Sequence, residues 1–324
     1  MKIFMSKKSL LLSILLLVAS SIIDARHSTK FADIFVPFPQ AMQGHPYTNA
    51  VAACDAKSEW QLIKRLYTQF LVEDLDWSDQ LRIPKVIHHI WLGSPLPEKC
   101  RILRETWMKN HPDWQFILWT DADIEHFGLE NKALYDASTN WGEKSDIARY
   151  EIVYKYGGLY VDTDYESIKP MDVFHHCVDF YTGIYANHSN GNSTNMTMGM
   201  GLIGARAGHP ILRAAIDGLK GTTNVRNNNS AAILSHTGPY YWTRIVLASA
   251  GNNNSRDVVL PPVFVYPTPI AGRGKSLDDQ HKDFFTNSTF ANHVWHMSWI
   301  THGKRHDGQG HTRKTHTPKK RPKR

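Results

Sequence analysis

Cysteine is nearly absent: Cys54, Cys100 and Cys177 are the only three in 324 residues. They are too few and too scattered for a zinc framework, suffice for one disulfide at most, and leave the redox compartment open. No internal repeat is visible, which removes solenoid and propeller arrays. Long apolar runs are missing as well. The longest, residues 10–23, would reach only about 21 Å as a helix, against a hydrocarbon core of roughly 30 Å. Lys2, Lys7 and Lys8 precede it and Asp24, Ala25 and Arg26 follow it. That pattern resembles a secretory signal, so residues 1–25 are expected to be a signal peptide or a short signal anchor, with cleavage favoured.

The net charge of +7 is partly local, since residues 301–324 carry nine Lys and Arg. Such a run reads as a disordered basic tail with an attraction to acidic membrane surfaces and no specific nucleic-acid partner. Six N-x-S/T sequons begin at Asn187, Asn192, Asn195, Asn228, Asn253 and Asn287. With the leader, they point to the secretory pathway, in the Golgi or ER lumen with or without a membrane anchor. A bacterial source would instead imply secretion or export towards a host.

The informative stretch is residues 145–166, SDIARYEIVYKYGGLYVDTDYE. Residues 144–156 contain neither Gly nor Pro and are rich in helix formers. Gly157 and Gly158 stop that helix, and Leu159, Tyr160 and Val161 then read as a strand ending in Asp162, Thr163 and Asp164. Residues i and i+2 of an extended segment point the same way, so Asp162 and Asp164 can converge on a hard cation such as Mn2+ or Mg2+. The bland alternative is a solvated Asp-x-Asp capping a turn. Around this stretch, residues 85–91 and 114–119 read as strands, 98–110 as an amphipathic helix, and Thr120 with Asp121 as a helix start. Residues 180–185 and 201–205 read as later strands, with helices at 210–219 and 240–250. Alternation of this kind predicts an α/β fold whose mostly parallel sheet binds ligand at the carboxyl ends of its strands.

The pattern S-D-x-x-R, a helical spacer, then G-G-x-Y-x-D-x-D resembles the DXD-containing sugar-binding glycosyltransferases. These include the fungal initiating α-1,6-mannosyltransferases and inositol phosphoceramide mannosyltransferases and, more distantly, the glucosylating domain of large clostridial toxins. Further landmarks fall in order: I-P-K-V-I-H-H-I-W at 83–91, W-x-x-x-x-W-T at 114–120, G-H-P at 208–210, T-G-P at 237–239 and H-x-W-x-x-S-W at 293–299. The resemblance implies a GT-A type, Rossmann-like sheet flanked by helices in a single catalytic domain over residues 83–300. A mainly helical extension at 26–82 would precede it and the tail at 301–324 would follow.

It also implies roles. Asp162 and Asp164 would hold the metal with His293, although His296 competes for that position. Asp146 and Arg149 would grip the donor sugar, where on a bare surface helix they would form only a weak i,i+3 ion pair. Trp91 would stack the base, although an aromatic closing an apolar strand is also an ordinary core residue. Ser145 and Tyr160 would touch the donor, and Ser298 and Trp299 the diphosphate. The expected activity is retaining transfer of a hexose (mannose, galactose or glucose) from UDP-hexose or GDP-mannose to a hydroxyl of a glycan, glycolipid or protein. No second carboxylate offers itself as a nucleophile, which favours same-face attack assisted by the leaving phosphate, with Asp146 left open as the exception. The rivals are a metal-dependent nucleotide-sugar hydrolase and a non-enzymatic polyanion binder built on the tail.

Overall fold

The computed structural model describes residues 31, 33–185, 195–220, 230–252, 254–268 and 284–296. The leader, the basic tail, Ser298, Trp299 and the sequon asparagines Asn187, Asn192, Asn228 and Asn253 lie outside the described residues.

Ahead of the sheet the chain is helical. Short turns at Phe38–Ala41 and Val51–Asp55 lead into α1 (Ser58–Tyr67), which runs on into a π-helical stretch, Thr68–Glu73. Trp60, Ile63, Leu66 and Tyr67 recur at three- and four-residue spacing and form its buried face. Next come β1 (Val86–Ile90), α2 (Glu98–Asn110), β2 (Gln115–Trp119), α3 (Asp121–Phe127) and α4 (Trp141–Tyr156). They are followed by β3 (Gly158–Val161), β4 (Tyr165–Ser167), β5 (Phe180–Ile184) and β6 (Met198–Ala205). The described residues continue with α5 (Pro210–Leu219), α6 (Pro239–Ser249), β7 (Asp257–Leu260) and β8 (Ala291–His293).

Six strands form one sheet in the order β2-β1-β3-β6-β5-β7. Five run the same way and β6 alone is reversed, so the expected α/β architecture with a mostly parallel sheet holds. Strand alternation divides its two faces: His88 lies against Tyr156 of α4, while His89 feels the charge of Arg104 on α2. Helix α5 packs on α4 and α6, α4 and α6 pack on β6, and α1 packs on β7. One buried cluster runs from Phe38 and Trp60 to Val259 and Phe264 and unites the early helices with the sheet. Each fully buried Val, Leu, Ile or Phe side chain there contributes about 1.5–3 kcal/mol.

Two boundaries differ from expectation. Helix α4 begins at Trp141 because Asn140 accepts the N–H groups of Gly142 and Glu143 at 2.8 and 3.1 Å. Strand β6 begins at Met198, ahead of the expected start at Gly201. All three cysteines are free and buried, and no helix among the described residues is long and apolar enough to cross a membrane.

Candidate active site at the β3–β4 turn

Helix α4 hands the chain to β3 through Gly157 (φ 66°) and Gly158 (φ 98°), conformations that side-chain-bearing residues rarely adopt. A Cβ on Gly158 would also stand 2.5 Å from the Val86 carbonyl oxygen. Strand β3 therefore starts flush against β1, and the two parallel strands end at one edge of the sheet, β1 just before Trp91 and β3 just before Asp162. There the Asp162 N–H donates to the Gly201 carbonyl at 2.7 Å, and the Tyr165 N–H donates to the Asp162 carbonyl at 3.2 Å. This turn corrects the expectation that strand alternation aligns the carboxylates. They converge because the chain reverses between them and β8 latches the reversal, the Val294 N–H reaching the Asp164 carbonyl at 2.9 Å.

Asp162, Asp164 and His293 bring one ligand atom each to within 4.8 Å of one another. His293 Nε2 lies 3.0 Å from Asp164 Oδ1, and the His296 N–H donates to Asp164 Oδ2 at 2.9 Å. Burial alone would raise the Asp164 carboxyl, but the adjacent imidazoles and this N–H hold it well below the usual carboxylate range. The His293 ring is clamped between Tyr165, 4.5 Å away, and Trp295, 4.0 Å away. Trp295 sits at φ 60°, a conformation costing of order 1–3 kcal/mol, and donates its indole N–H to the Thr268 carbonyl at 2.9 Å. Nδ1 of His293 and of His296 is buried without a protein partner. Two carboxylates with an imidazole and two spare imidazole nitrogens fit a divalent cation.

Asp146 and Arg149 do pair at i,i+3, at 2.9 Å, but at 7% and 4% exposure this is no surface ion pair. Arg149 also stands 3.3 Å from Asp162 Oδ1, donates to the Met200 carbonyl at 3.0 Å and lies over the Tyr160 ring at 4.6 Å. Asp162 in turn accepts the Tyr160 hydroxyl at 2.5 Å. The Thr237 hydroxyl of the T-G-P landmark donates to Asp146 Oδ2 at 3.2 Å. Burial pushes the Asp146 carboxyl up to about 7, against the opposing charge of Arg149. The folded protein thus retains a proton that the unfolded chain loses near pH 4, so ionising Asp146 subtracts stability as pH rises from about 4 to 7. The Tm of Asp146→Asn should fall less steeply than wild type across that window. Parallel pH profiles would refute the shift.

Of the remaining expected residues, Trp91 follows β1 at the same edge, half-buried, its indole N–H on Ser94 Oγ at 3.1 Å. The Ser145 carbonyl accepts Arg149 Nε at 3.1 Å.

The contribution of β6 is not evident in its sequence. Its G-M-G-L-I-G at 199–204 has dinucleotide-loop spacing, yet it is a buried strand whose missing side chains admit neighbours. A Cβ on Gly201 would stand 2.6 Å from Asp162 Oδ2 and 3.0 Å from the Tyr165 ring, and one on Gly199 would collide with Tyr266. Gly201→Ala is therefore expected to turn the Asp162 carboxylate aside and weaken Mn2+ binding about 10- to 100-fold, with about 1–3 kcal/mol lost from stability. Calorimetric titration of Mn2+ reads this, and an unchanged affinity would contradict the packing argument.

Residues 97–180 match the family described as the glycosyltransferase sugar-binding region containing the DXD motif, with Asp162-Thr163-Asp164 inside the match. The resemblance read from the motif holds over that segment. Inositol phosphoceramide mannosyltransferase 1 of Schizosaccharomyces pombe is 41% identical over 98 residues, covering 28% of this chain and 31% of the yeast protein. Inositol phosphoceramide mannosyltransferase 3 of the same yeast is 29% identical over 167 residues, covering 50% and 44% respectively. The chain thus spans less than half the length of either relative. A solved structure of the PaToxG glycosyltransferase is 18% identical at a TM-score of 0.43, covering 63% of this chain and 79% of that one.

Proposed function

We propose that the chain is a metal-dependent retaining hexosyltransferase of the secretory pathway, moving mannose, galactose or glucose from a nucleotide diphosphate sugar to an acceptor hydroxyl. The observation that carries this reading is the Asp162–Asp164–His293 cluster standing beside the buried Arg149–Asp146 pair. The names of the yeast relatives favour mannose and a glycolipid acceptor. The domain is taken as residues 83–300, with Trp91 under the base and Ser145, Tyr160, Ser298 and Trp299 along the donor.

Asp162, Asp164 and His293 would hold the cation, which when bound neutralises charge building on the departing diphosphate. Arg149 is fixed by the Ser145 and Met200 carbonyls and by Asp146, so its fork is already oriented before a sugar arrives. Asp146 is engaged on both oxygens, by Arg149 and by Thr237, which disfavours it as a covalent nucleophile and favours same-face attack. A buried carboxylate beside an Arg fork suits the holding of sugar hydroxyls.

The test is a thermal-shift screen of UDP, GDP and their hexose conjugates with Mn2+, followed by turnover with and without acceptor. Stabilisation by one nucleotide series and product that depends on acceptor are expected. Donor consumption at the same rate without acceptor would turn the reading into a hydrolase, and no nucleotide response in either series would remove it.

A further inference from the structure

Two of the sequon asparagines, Asn195 and Asn287, lie among the described residues, and both are exposed. Asn287 sits at the tip of a β-turn, residues 286–289, closed by the Thr289 N–H on the Thr286 carbonyl at 3.1 Å. The Thr286 and Ser288 N–H groups are also taken, by the Thr289 hydroxyl at 3.0 Å and the Thr286 hydroxyl at 3.1 Å. Two further bonds fasten the turn to the body of the fold: Ser288 Oγ donates to the Ile34 carbonyl at 2.5 Å, and Thr289 Oγ to the Val263 carbonyl at 2.9 Å. Ser288 is accordingly 3% exposed and Thr289 0%. The backbone carbonyl of Asn287 accepts Lys169 Nζ, whereas its side-chain amide has no hydrogen-bond partner among the described residues. Phe284, which chain length keeps within about 11 Å of Asn287, is 49% exposed.

We infer that Asn287 is a glycan attachment site. This rests on the secretory reading above, because the co-reactant, an oligosaccharide linked to a lipid diphosphate, is met in the lumen of that pathway. In the transfer, Asn287 Nδ2 bonds to the anomeric carbon, the bond from that carbon to the diphosphate oxygen breaks, the amide gives up one proton and the lipid diphosphate leaves. Selection of an N-x-T asparagine depends on the threonine hydroxyl. In the fold that hydroxyl is committed to the Val263 carbonyl and out of reach. Attachment therefore precedes closure of the turn, and folding afterwards leaves the glycan outside. An exposed asparagine with an unengaged amide carries that bulk without displacing a packed neighbour, and the glycan shields the exposed ring of Phe284.

The experiment is expression of the full chain in a eukaryotic secretory host, with mass spectrometry of its peptides before and after enzymatic release of N-glycans, which converts each carrier asparagine to aspartate. The peptide spanning residues 284–296 should carry a glycan in most molecules, and release should convert Asn287. Asn287→Gln, an exposed change that keeps the backbone carbonyl for Lys169, should be recovered folded with one glycan fewer than wild type. Glycans at other sequons with Asn287 unmodified would overturn the assignment. So would an unmodified chain recovered from the lumen or the medium, or an Asn287→Gln variant with the same number of glycans as wild type. A chain that never enters the lumen takes down the secretory reading itself, and the attachment site with it.

Discussion

Asp164→Asn should lower transfer by roughly 10³-fold, the equivalent of about 4 kcal/mol in the transition state, while the protein stays folded. The amide keeps the volume of the carboxylate and an oxygen to accept the His296 N–H, and the backbone bond from Val294 does not involve the side chain. What disappears is the negative charge that would hold a cation. Asp162→Asn should cost activity on the same scale and also lower stability by about 1–3 kcal/mol, because its carboxylate is one of the two that neutralise the buried Arg149. The two variants therefore separate by Tm as well as by rate. Excess EDTA should reproduce the rate loss in wild type, and added Mn2+ should reverse it. Full turnover in Asp164→Asn, or in EDTA, would remove the metal from the reaction.

The parts of this molecule that were legible in the sequence are those governed by local period and capping. Helix α2 was bounded at Glu98 and Asn110 by its apolar spacing, and the start of α3 by Thr120, whose N–H and hydroxyl are both bonded to Asp123. The diglycine after α4 announced the break because the chain there needs positive φ. The centre of the site was visible for a different reason: Asp162, Asp164, Asp146 and Arg149 fall in one contiguous motif. What local pattern does not encode is long-range approach. Nothing around residues 199–204 reveals that these glycines sit under Asp162, Tyr165, Tyr181 and Tyr266, contacts made only once β6 has returned antiparallel to β3. Nor does the helix period separate a solvated Asp146–Arg149 pair from a buried one. The middle of helix α4, residues 146–153, is buried without a break, and the buried charged residues Glu143, Asp146, Arg149 and Glu151 are tolerated because each finds a partner.

That burial sharpens the outcome for Arg149→Lys. An exposed pair would yield a few tenths of a kcal/mol of stability and no change in kinetics. At 4% exposure, with guanidinium nitrogens on Asp146, Asp162 and the Met200 and Ser145 carbonyls, the arginine cannot be replaced by a single ammonium without leaving acceptors unmet. Lysine keeps the charge that compensates the two aspartates, so the fold should survive at a cost of about 1–3 kcal/mol. Arg149→Ala would strand buried carboxylates and should cost about 3–5 kcal/mol, which makes it the poorer probe. In Arg149→Lys the fork that orients a sugar is lost while the cation ligands remain. A kcat about 10²-fold lower is therefore expected, with the inhibition constant of the free nucleoside diphosphate within about twofold of wild type. Asp146→Asn should behave alike if the pair works as a unit, and combining the two changes should then cost no more than either alone. Should Arg149→Lys weaken the nucleoside diphosphate as much as it slows turnover, the pair serves the nucleotide and not the sugar. A normal kcat in both single variants would return α4 to a purely architectural role.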